Sequence, residues 1–136
     1  MISITFVQDQ RKELTNRLDR YFKQQDSKMT RDRYLEMCEQ LGKEPVESEI
    51  PPDWKDFPEV VISALNVFNM LGDRMYPEIG YVGKDYTNLS YFLDIYDIED
   101  TEFFLELLTW LDSRAIKTSQ DQLKREHDKL KRKNSG

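Results

Sequence analysis

The sequence predicts an all-α protein: a compact bundle of about five helices with a short N-terminal extended segment and a polar C-terminal helix or tail. Three observations carry this expectation. Apolar residues recur at spacings of three and four in five separate stretches, as they do on a helix with one buried face. Proline and glycine fall between those stretches rather than inside them. The 7 Phe, 7 Tyr and 2 Trp put much of the 38% hydrophobic content into large rings, so few residues suffice for a core in a chain of 136. Residues 1–116 read as a single helical domain and 117–136 as a basic polar helix or tail.

The elements follow in order. Residues 1–8 read as an extended segment, because Ile2, Ile4 and Phe6 alternate with Ser3 and Thr5. From about Gln10 to Gln25, Leu14, Leu18, Tyr21 and Phe22 line one face of a first helix. Thr30 can cap a second, which runs to Leu41 and stops at Gly42, with Tyr34, Leu35, Cys38 and Leu41 as its inner face. Residues 43–57 hold Pro45, Pro51 and Pro52 among five carboxylates, which forbids a regular helix and leaves an acidic proline-rich connector. Pro58 suits the start of a third helix and Gly72 its end, with the stripe Val61, Ala64, Leu65, Phe68 and Leu71 between them.

In residues 73–88, Pro77, Gly80 and Gly83 break any period while Tyr76, Tyr81 and Tyr86 recur every five residues, which predicts an aromatic loop. Leu89, Phe92, Leu93 and Tyr96 mark a short fourth helix. Asp100 then caps the most apolar helix of the chain, carrying Phe103, Phe104, Leu107, Leu108, Trp110 and Leu111. Beyond Ile116 only Leu123 and Leu130 are large and apolar, and Ser119 with Gln122 has the spacing of a capping box for a last polar helix.

Charge is unevenly spread. Net charge is −6, but residues 41–113 carry four basic and sixteen acidic side chains, whereas 114–136 carry eight and three. The acidic body argues against nucleic acid as a partner. The apolar stretch around Phe103 to Leu111 contains Glu106 and is too short to span a bilayer. One cysteine, Cys38, allows no internal disulfide, and no charged-then-apolar leader opens the chain. A cytoplasmic protein is expected.

The residue inventory points away from catalysis. His127 is the only histidine and sits in the polar tail, so a nucleophile–imidazole pair would have to be built there. Cys38 lies on an apolar helix face, where a thiol behaves as a small hydrophobe. One Cys and one His give zinc no ligand set. Gly83-Lys84 has the ending of a phosphate loop, but Glu78 stands where its first glycine belongs and Asp85 where its hydroxyl belongs. Asp94, Asp97, Glu99 and Asp100 lack the spacing and glycine of a calcium loop. No enzyme activity, cofactor or metal is expected.

Binding surface remains. Trp54, Phe57, Tyr76, Tyr81 and Tyr86 are aromatic contact candidates of the kind favoured at interfaces, and Lys124, Arg125 and Lys129 of the basic tail could dock on an acidic partner. A protein partner is expected, and homo-oligomerisation stays open.

A resemblance bears on which partner. Pro51-Pro52-Asp53-Trp54 through Phe57-Pro58, Phe68-Asn69, Gly83-Lys84-Asp85-Tyr86, and Leu89 and Leu93 form a pattern that resembles tail assembly chaperone-like accessory proteins of tailed bacteriophages, over about residues 30–116. The resemblance implies a helical host-cytoplasmic factor that keeps a tail or baseplate component soluble before assembly. Two other readings stand beside it. One is a structural virion subunit of the tail, baseplate or connector, whose segment Ile2–Phe6 pairs with a neighbour's sheet edge. The other is an acidic regulator that occupies the nucleic-acid groove of an enzyme.

Overall fold

The computed structural model describes residues 7–134. These divide into two compact units, residues 7–62 and 63–134, with the boundary inside the third helix. The expected strand at Ile2–Phe6 lies outside the described residues.

In the first unit, α1 spans Gln8–Ser27, and its first turn is closed by Gln10, whose Oε1 accepts from the Val7 amide at 3.2 Å. Leu14 and Leu18 are buried on its inner row, with Tyr21 and Phe22 half-buried. α1 stops because Lys28 adopts a left-handed conformation, φ 61°, which lets the Met29 and Lys28 amides donate back to the Gln24 and Gln25 carbonyls. α2, Arg31–Gln40, is capped by Thr30, whose Oγ1 accepts from the Arg33 amide at 3.2 Å. It ends in the same closing pattern, with Lys43 donating to Cys38 and Gly42 to Glu39.

Of the four residues expected on the inner face of α2, only Tyr34 and Cys38 are buried, and Leu35 and Leu41 are exposed. A helix of ten residues touches its neighbours along one row, and positions 34 and 38 share that row. The connector forms no α-helix, as its prolines require, but contains two three-residue 3₁₀ turns at Glu47–Glu49 and Trp54–Asp56.

α3, Glu59–Met70, starts where the Pro58 carbonyl accepts from the Val61 and Ile62 amides. In the second unit Ala64, Leu65, Val67 and Leu71 are buried together with Phe103, Phe104, Leu107, Leu108 and Leu111. The fold is mostly helical, as expected, but not wholly so. Within residues 73–88, expected to be a loop, β1 (Asp73–Tyr76) and β2 (Gly80–Lys84) form an antiparallel hairpin, with Asp73 opposite Lys84, Met75 opposite Tyr81 and Tyr76 opposite Gly80. The reason is local: Pro77 and Gly80 bracket a tight reversal, and the flanking Met75, Tyr76, Tyr81 and Val82 suit a pleated strand.

α4, Leu89–Ile95, ends with Asp97 at φ 49° and Ile98 donating to Leu93. α5 runs unbroken from Thr101 to Asn134, starting where Asp100 Oδ1 accepts from the Phe103 amide at 3.1 Å. The expected start of a separate helix near 117 is therefore absent. Ser119 lies inside α5 rather than at a cap.

Candidate functional site

The second unit is organised around a single carboxylate. Asp112 sits on α5 one turn after Leu108 and one turn before Ile116, in an otherwise apolar row, and only 8% of it is exposed. A buried carboxylate must be compensated by donors. Three supply it: the Tyr81 hydroxyl donates to Oδ1 at 2.5 Å, the Tyr86 hydroxyl to Oδ2 at 2.6 Å, and the Lys84 amide to Oδ2 at 3.1 Å. Nearer the hairpin tip, the Tyr81 amide donates to Ser119 Oγ at 3.4 Å.

β2 thus turns its outer amides toward α5 and has them accepted by side chains of that helix. This removes an open sheet edge on that side. Among the described residues β1 has a strand neighbour on one side only, and all four of its residues are exposed.

Two glycines permit the close approach. Gly83, at φ 126°, would place a β-carbon 3.3 Å from Asp112 Oδ2, and Gly80, at φ 82°, would place one 2.9 Å from Leu123 Cδ1. Neither space nor backbone conformation suits a larger residue.

Lys84 adds a second tie. Its ammonium, buried with the rest of the residue, donates to Asp73 Oδ1 at 2.6 Å and to the Leu71 carbonyl at 3.3 Å, and lies 4.5 Å from the centre of the Phe68 ring. Arg74 Nη2 donates to the Val82 carbonyl across the hairpin.

The electrostatics follow from this arrangement. Burial pushes the Asp112 carboxyl up, but the Tyr81 and Tyr86 hydroxyls, the Lys84 amide and the Lys84 charge together hold it below the usual carboxylate range. Burial, and then the carboxylate each one faces, pushes both tyrosines well above the ordinary phenol value. Asp112 is therefore an anion and the two tyrosines neutral donors throughout the neutral range.

The sequence-derived contact residues separate accordingly. Tyr81 and Tyr86 direct their hydroxyls to Asp112, which fastens the hairpin and the turn after it, although the Tyr86 residue as a whole is 39% exposed. Tyr76 is 53% exposed and lies at the hairpin tip with Met75 and Ile79, which are 63% and 60% exposed. Phe57 is buried, so its ring is part of the core of the first unit rather than of its surface. There it meets Tyr21 at 5.8 Å and Trp54 at 6.5 Å between ring centres, with the Arg17 guanidinium 5.5 Å from its own centre. Trp54 is half-buried in that cluster. Lys124, Arg125 and Lys129 are exposed on the C-terminal part of α5.

Sequence reasoning missed Asp112 as the organising group. The signal was an acid within the helical row Leu108, Ile116, Leu123. Among the described residues no group of His, Cys, Asp and Glu side chains is placed to hold a metal ion, and no helix is long and apolar enough to cross a membrane.

No protein-family model matches the chain, and no curated protein or solved structure matches it.

Proposed function

We propose that the protein is a non-enzymatic assembly factor that binds a partner protein through the tip of the β1–β2 hairpin. One observation carries this reading: Met75, Tyr76 and Ile79 are all more than half exposed on a hairpin whose other strand is fastened to α5 by Asp112 and Ser119 and whose two strands are tied together by Lys84 and Asp73. Apolar side chains grouped on a held element cost little to order on binding, and this favours a contact role. The partner class is a tail or baseplate component of a tailed bacteriophage, a choice that rests on the resemblance over residues 30–116.

A photo-crosslinking residue at Ile79, introduced in the native host, should join the protein to one such component. Changing Met75, Tyr76 and Ile79 together to alanine should abolish its capture, because hot-spot side chains contribute about 2 kcal/mol or more each. Capture of the same partner at undiminished yield by the triple variant would defeat the proposal.

A further inference from the structure

The α4–α5 segment is divided by charge. From Asp85 to Ser113 there are eight carboxylates and no Lys or Arg, whereas from Arg114 to Asn134 there are eight Lys or Arg and three carboxylates. A helix dipole favours acids at its start and bases at its end, but that effect fades within the first and last turns and does not account for a division twenty residues long on each side.

Each part also shows apolar side chains. At the acidic end Tyr91 and Ile95, one turn apart on α4, are 64% and 57% exposed, and Leu105 on α5 is 42% exposed. At the basic end Leu123 and Leu130, seven residues apart and so on one face of α5, are 37% and 60% exposed, and every residue from 120 to 134 is exposed. A polar helical arm of this length is marginal by itself in water, and packing against a partner would stabilise it.

The chain thus carries both halves of a complementary pair, a basic arm with a leucine row and an acidic apolar surface. Leu105 and Leu130 cannot meet within one molecule, because the rise of α5 separates them by about 38 Å. We propose that the arm of one copy, residues 120–134, docks on the acidic α4 and early α5 surface of a second copy, and that the second returns the same contact, closing a two-fold dimer. Glu126 and Asp128 within the arm, and the leucine row, suit an acidic apolar protein surface better than a nucleic-acid backbone. This inference is independent of the hairpin-tip reading.

Sedimentation velocity tests it. The full chain should form a reversible dimer at low salt that dissociates as salt rises. Lys129→Glu with Lys131→Glu should weaken it about tenfold or more, since two exposed ion pairs are lost in each of the two symmetric contacts. Asp94→Lys with Asp97→Lys should do the same, and mixing the two variants should restore a dimer tighter than either variant forms alone. Independently of any charge change, a photo-crosslinker at Leu130 should join to residues 85–106 of another copy. A wild-type chain that stays monomeric at all concentrations overturns the proposal. So does a dimer indifferent to both charge reversals, a mixture that does not recover, a crosslink elsewhere, or an arm that binds a labelled oligonucleotide while the chain remains monomeric.

Discussion

Residues 7–62 and 63–134 both tie a non-helical stretch to a helix with polar side chains, but the ties have opposite sign. In the first unit the charged ties are cations, beside the neutral Tyr34 hydroxyl that accepts from the Val46 amide: Arg20 on α1 donates to the Ser48 and Ile50 carbonyls at 2.7 and 3.2 Å, and Arg31 on α2 donates to the Pro51 carbonyl at 3.1 Å and to Asp56. In the second unit the tie is an anion, Asp112, accepting from a backbone amide and two phenols. The difference follows from which backbone groups are left over. A proline-rich connector has carbonyls without strand partners and few amides to offer, so it takes guanidinium donors. An edge strand held against a helix directs amides outward, so it takes a carboxylate. The burial differs too: the Lys84 amide bond to Asp112 is buried, whereas the Arg20 bond to Ser48 is exposed.

That contrast can be broken most severely at Asp112. Asp112→Ala leaves the Lys84 amide and two phenols without their acceptor and opens a polar void, and should cost about 3 kcal/mol in urea unfolding, with faster hydrogen exchange at the Lys84 amide. No loss of stability would mean that the hairpin is held by packing alone.

The pH profile is the next test, and its signs are set by the shifts. Because Asp112 is depressed, its contribution is present above the ordinary carboxylate value near 4 and is lost as pH falls through the folded value. Because Tyr81 and Tyr86 are raised, theirs is present below the ordinary phenol value near 10 and is lost as pH rises above it. Stability followed by tyrosine fluorescence should be flat between these limits in wild type, and Asp112→Asn should remove the part of the acid limb due to Asp112.

Arg20→Ala should cost less, about 1 kcal/mol, since its bonds to the connector are partly open to water. A loss as large as that of Asp112→Ala would erase the distinction between the two ties. The smallest effect is expected at Lys28, where a side chain occupies a left-handed position that costs an L-residue about 1–2 kcal/mol. Lys28→Gly should raise the urea midpoint by the equivalent of about 0.5–1 kcal/mol, after the added flexibility of the unfolded glycine is offset.

The helices were legible in the sequence because their signals are local. Thr30, Gly42, Pro58 and Asp100 all sit at or beside a helix end, and most of the expected apolar rows of α1, α3 and α5 are buried, with Tyr21, Phe22, Phe68 and Trp110 half-buried. The hairpin was not legible in the same way, since its strands have four and five residues and their pairing depends on a helix about thirty residues further on. Tyr76, Tyr81 and Tyr86 look alike as a five-residue repeat. Only the position of Asp112 separates two that face inward from one that faces out. The continuity of α5 past Ile116 was hidden because a full apolar face marks a buried helix, and residues 120–134 are helical with only Leu123 and Leu130 as large apolar side chains.

The last fifteen residues of α5 also bear on how the protein should melt. Apart from Leu123, which lies against Gly80, they add helix with little buried surface, so in an isolated copy they can unwind while the tyrosines around Asp112 keep their surroundings. Heated in dilute solution, the chain should therefore lose circular-dichroism amplitude before its tyrosine signal moves, and the two curves should come together when residues 120–136 are removed. A single-transition fit to the ellipticity of the full chain would then report neither the stability of the arm nor that of the body.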